Sequence, residues 1–110
     1  MRYPTTSVGS TAFLGASQSF TIAAGSCKLV GIVGYNGGAA SFVMIFEATV
    51  PPANGTAAKW TIACAAASNY ALALPDAIDL DKCLAVCSST ADTLTIQGFG
   101  SMSIQGILAG

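Results

Sequence analysis

Charge is scarce in this sequence, histidine is missing, and no long apolar run interrupts it. Nine of the 110 residues are Asp, Glu, Lys or Arg, against about a quarter in an average soluble domain. The chain thus has about a third of the charge that keeps a lone domain dispersed. Without histidine the commonest general base and metal ligand is gone. Serines are plentiful, but no imidazole can activate them and no Gly-x-Ser-x-Gly elbow occurs, so hydrolase triads are excluded. Nothing in the sequence pairs Lys28, Lys59 or Lys82 with a particular serine as an alternative base. The expectation is a non-enzyme that carries no cofactor.

Other absences exclude partners. The net charge is -1, and Arg2, Lys28, Lys59 and Lys82 are scattered, so no basic stripe exists for nucleic acid. The longest strongly apolar run, Phe42 to Phe46, falls far short of the ~20 residues that span a bilayer. The opening MRYPTTSVGSTAFLG has one basic residue, then Pro4 and a polar run without an apolar core. No signal peptide is expected, so the chain is expected to be synthesised in the cytoplasm and to stay where it is made or leave by cell lysis.

What is abundant is small and neutral. Ala, Gly, Ser and Thr make up nearly half of the chain, so alanine inflates the 53% hydrophobic fraction. Runs rich in Val, Ile, Thr, Phe and Tyr recur between clusters of Gly, Asn, Pro, Ser and Asp, the pattern of an all-β domain. Strands are predicted near Ser19-Ile22, Lys28-Tyr35, Ser41-Thr49, Lys59-Ala63, Tyr70-Leu74, Cys83-Ser88, Thr93-Gln97 and Ser101-Leu108. Eight strands suit a single antiparallel β-sandwich over residues 19-110. Residues 1-18, with Pro4, Gly9 and Gly15 and little periodicity, read as an N-terminal arm. Asn36-Gly37-Gly38 predicts a hairpin turn, and Pro51-Pro52 excludes a central strand there.

Leu94 and Ile96, and Met102 and Ile104, alternate with polar residues and predict strands with one buried face. Other strands are apolar on both sides: Leu29 and Val33 oppose Val30 and Ile32, while Phe42, Met44 and Phe46 oppose Val43 and Ile45. The second apolar face needs a cover, from the arm or a neighbouring subunit.

Each motif that hints at chemistry has a plainer reading. Cys83 and Cys87 would stand ~13 Å apart on one strand, beyond the roughly 4.4–6.8 Å of a disulfide. Pairs involving Cys27 or Cys64 stay open, and buried free thiols are expected. Pro75-Asp76-Ala77-Ile78-Asp79-Leu80-Asp81 lacks the glycine and distal glutamate of a calcium loop and reads as a solvated connection. Asn54-Gly55-Thr56 reads as a turn rather than a glycosylation acceptor. No metal site is expected. Trp60, Tyr35 and Tyr70 could form a sugar-stacking platform, although single aromatics among strand residues are more often core or interface anchors.

Cys27-Lys28-Leu29-Val30-Gly31-Ile32-Val33-Gly34-Tyr35-Asn36, followed by Ala39-Ala40-Ser41-Phe42-Val43-Met44-Ile45-Phe46-Glu47-Ala48, resembles small structural proteins of tailed bacteriophages. The likeness extends through Val50-Pro51-Pro52-Ala53-Asn54-Gly55-Thr56, Ala66 to Leu74, and Val86 to Thr93. It implies a jelly-roll-like β-sandwich in a virion, decorating or cementing a capsid as a dimer or trimer, and supplies no catalytic residue. The expected partners are a major capsid protein and further copies of the chain. Phe13, Phe20, Phe42, Met44 and Phe46 are the candidate intersubunit contacts. The alternatives are a tail or fibre module that binds a receptor or carbohydrate through Trp60, Tyr35 and Tyr70, and a self-assembling fibre or surface-layer subunit.

Overall fold

The computed structural model describes residues 5–10 and 14–109. The described chain is all β: β1 Thr5–Ser10, β2 Ser19–Ala23, β3 Cys27–Asn36, β4 Ser41–Phe46, β5 Trp60–Cys64, β6 Ser68–Leu80, β7 Cys83–Ser88 and β8 Met102–Ala109. They form two four-stranded antiparallel sheets, in the order β1-β8-β3-β6 and β2-β7-β4-β5. The pairings β1 with β8, β2 with β7, β3 with β6 and β4 with β5 follow one long hairpin with its tip between β4 and β5. Successive rungs of that hairpin fall alternately into the two sheets. The predicted antiparallel β-sandwich is therefore the observed architecture.

Three segments differ from expectation. Thr5–Ser10, assigned to the arm, pairs along β8 as an edge strand. Its sequence TTSVGS lacks apolar alternation, and only the partner strand reveals its state. Residues 93-97, predicted as a strand, make a single bridge, Ser88 to Ile96, within a long loop. The acidic run after Pro75 is not a loop but the second half of β6. Pro75 is tolerated because β6 is an edge, and Leu74 to Ala77 bulge opposite Val30 where the ladder shifts from Gly31↔Ala73 to Leu29↔Ile78.

A bulge also resolves the two-faced pattern of β3. Leu29 pairs with Leu108 and Gly31 with Ile107, leaving Val30 as an extra residue. The slip puts Leu29 and Ile32 together in the core and turns Val33 outward. Between the sheets lie Ile22, Leu29, Ile32, Val43, Ile45, Ile62, Tyr70, Leu80, Met102 and Ile104, with Cys64, Cys83, Ala85 and Cys87. Glycines admit the large side chains: Ile22 lies against Gly106, and Tyr70 covers Gly34 while its hydroxyl donates to the Ser103 carbonyl at 2.6 Å.

The predicted turn after β3 is built around a buried side chain. The Asn36 amide donates to the carbonyls of Ala39, Cys64 and Ala65, and its Oδ1 accepts the Gly38 N–H at 3.0 Å. One residue thereby ties the β3–β4 turn to the β5–β6 turn.

Candidate functional site

The outer face of the sheet β2-β7-β4-β5 carries Phe42, Met44, Phe46, Leu84 and Val86. Among the described residues a cover comes from within the chain. Two long loops of the same chain, 47-59 and 89-101, meet over it and place Leu94, Ile96, Ala48 and Ala58 on Met44, Phe46, Leu84 and Val86. The loops are stapled by the Gly55 N–H to the Leu94 carbonyl, the Leu94 N–H to the Thr56 carbonyl, and the Ile96 N–H to Asn54 Oδ1. Buried Ser88 anchors them to β7, its hydroxyl accepting the Thr95 and Thr90 N–H groups.

The loops bear on two of the five predicted contact residues. Met44 and Phe46 are buried under the loops, Phe20 packs against the intersheet core, and Phe42 is half-buried. Phe13 lies outside the described residues. The aromatic platform is not assembled either. Tyr70 is buried in the core, Trp60 packs partly into it from β5, and Tyr35 points outward from β3. The Lys59 ammonium sits 5.9 Å from the Trp60 ring centre.

The open surface is the outer face of β1-β8-β3-β6. Its ladder register lays out three rows: Ser7, Ile107, Gly31 and Ala73; Gly9, Gln105, Val33 and Ala71; and Ser103, Tyr35 and Asn69. None is charged. Val33 and Tyr35, 37% and 39% exposed, are two of the three large apolar side chains open to solvent among the described residues. A shallow depression lined by Val33, Gly34, Tyr35, Asn69, Tyr70, Ala71 and Ser103 runs to the β6 edge, so Tyr35 and Tyr70 both border it. The signal that could have found this face is the alternation of small Asn69, Ala71 and Ala73 with large Tyr70, Leu72 and Leu74.

Charges that are scattered in sequence gather in space. Lys28, Glu47, Lys59, Asp79, Asp81 and Lys82 all lie where β3, β5 and β7 begin and β4 and β6 end, at one end of the sandwich. Lys28 meets Asp79 at 3.7 Å and Lys59 meets Glu47 at 3.9 Å. Glu47 also accepts the Asp81 N–H at 2.7 Å. All four cysteines are free thiols, and burial pushes those of Cys64 and Cys83 up to about 12. Such thiols are poor nucleophiles and metal ligands at neutral pH. No cluster of three metal-ligating side chains occurs among the described residues, and no described helix could cross a membrane.

No protein-family model and no curated protein matches the chain. Among solved structures it is similar to the coat protein of Tobacco streak virus, with a TM-score of 0.46 and 8% identity over 96% of this chain and 86% of that one.

Proposed function

We propose that this chain is a structural subunit of a virus particle that acts by packing rather than by chemistry. The observation that carries the reading is the winding: one hairpin is wrapped so that β1-β8-β3-β6 faces β2-β7-β4-β5, which we read as a jelly roll, an architecture of viral capsid and lectin domains. Within that pair of uses, the burial of Tyr70 and the place of Trp60 on the sheet opposite Tyr35 favour the capsid over a sugar-binding module. The three uncharged rows on the outer face of β1-β8-β3-β6 suit close contact with other subunits. The finer reading is a decoration or cement protein on the head of a tailed bacteriophage, seated on a major capsid protein beside further copies of itself. Burial of apolar area at ~25 cal/mol per Å² would then strengthen junctions between capsomers.

Protein mass spectrometry of purified particles, with immunogold electron microscopy, tests the proposal. The chain is expected in many copies on the shell, and Val33→Asp is expected to remove it from particles while the isolated chain stays folded. Absence from particles, or undiminished incorporation of Val33→Asp, would overturn the reading.

A further inference from the structure

The sandwich has four sheet edges, β1, β2, β5 and β6; β1 is six residues long and has no apolar stripe, and of the other three one lacks protection. β2 is irregular between Thr21 and Ala23, and the second half of β6 carries Pro75, its bulge and Asp79. β5 has five residues and follows Lys59. Irregularity, proline, charge and shortness are the devices that stop an edge from recruiting another strand. Ser68 to Ala73, before the bulge in β6, has none of them. It pairs in register with β3 from Asn36 to Gly31, and no residue between Lys59 and Asp76 is charged. Alternate N–H and C=O groups along its other side point away from β3. Leu72 and Leu74, on the core-facing side of the strand, are only partly buried, because no further strand flanks them.

We propose that Asn69–Ala73 pairs antiparallel with the same segment of a second copy, joining the two β1-β8-β3-β6 sheets into one sheet across a two-fold axis at Ala71. The segment is self-complementary about that residue. On the outer face Ala71 meets Ala71 and Asn69 meets Ala73, all small. On the inner face Tyr70 meets Leu72, so neither bulky ring opposes its own copy. The second strand completes the cover of Leu72 and satisfies the free backbone groups, and the contact closes on itself as an isologous dimer. This deepens the virion-subunit reading, on which it rests only for the choice of a second copy as the partner.

Cysteine cross-linking of the full chain, with sedimentation equilibrium, tests the pairing. Directly paired residues in an antiparallel ladder have Cα atoms about 4.5–5.5 Å apart, within disulfide range. Ala71→Cys is therefore expected to give a covalent dimer on mild oxidation, faster than Val33→Cys on the open face, Thr61→Cys on the β5 edge, or the unsubstituted chain. Ala71→Lys places like charges opposite each other and is expected to weaken self-association roughly tenfold or more at low salt, with unchanged melting. Faster cross-linking through position 33 or 61, or unweakened association of Ala71→Lys, overturns the edge pairing. So does a monomer at every concentration, whereas the virion reading stands or falls separately on whether the chain is found in particles.

Discussion

Replacing Leu94 by alanine measures whether the outer face of β2-β7-β4-β5 is covered by the chain itself. Leu94 is fully buried against Met44, Phe46, Leu84 and Val86, although it lies in a loop. Truncation to alanine removes three buried carbons, about 2.4 kcal/mol of transfer free energy at ~0.8 kcal/mol per carbon. A residual cavity adds to this, but a loop can settle further than a core strand, so the expected loss is about 3 kcal/mol. Set against the 5–15 kcal/mol typical of a domain, that loss should lower the melting temperature by about 10 °C or more. Urea denaturation of the dilute chain, followed by Trp60 fluorescence, gives the free energy directly. Hydrogen exchange should show faster opening of the β4 and β7 amides under the loop. A loss below about 0.5 kcal/mol would refute the reasoning and return the cover of this face to a neighbouring subunit.

Three further outcomes follow from buried polar groups and close approaches. The Cys64 and Cys83 thiols, raised from an ordinary value near 9 to about 12, stay protonated in the folded chain while unfolded chains lose those protons. Their contribution is full below pH 9 and lost as pH rises towards 12, at up to about 1.4 kcal/mol per pH unit for each thiol; urea midpoints independent of pH from 9 to 11 would contradict this. Asn36→Ala strands the Ala39, Cys64 and Ala65 carbonyls and the Gly38 N–H, and should cost about 3 kcal/mol or more by chemical denaturation. Gly34→Ala would drive a methyl group into the Ser103 carbonyl and the Tyr70 ring, while Gly25→Ala meets nothing within 4 Å. Thermal melts should show a loss of about 2–3 kcal/mol for the first and less than about 0.5 for the second.

Strand propensity and turn chemistry made most of the fold legible. β3, β4, β5, β7 and β8 were recognisable because each joins β-branched or aromatic residues to a bounding cluster of turn formers. β1 was not, since Thr5–Ser10 has no apolar stripe and its pairing is dictated by β8 a hundred residues later. The loop around Leu94 imitates a strand because alternation reports which side chains are buried, not what backbone state buries them. The contact residues were legible least well. Phe42, Met44 and Phe46 stand out by size, but large apolar side chains are what a chain covers first, and two of the three lie under its own loops. The face left open is made of Ala, Gly, Ser, Asn and Gln around Val33 and Tyr35, residues inconspicuous one at a time.

The sequence by itself determined an all-β chain without a histidine-based catalytic site, a basic patch or a long apolar run, because composition bounds these directly. Which faces remain open was decided only by the tertiary structure. One extra residue at Val30 reverses the sense of β3, two loops distant in sequence close over one sheet, and register brings scattered charges to one end. Each outcome depends on pairings between residues far apart in the chain, and a periodicity read along one strand carries no record of its partner.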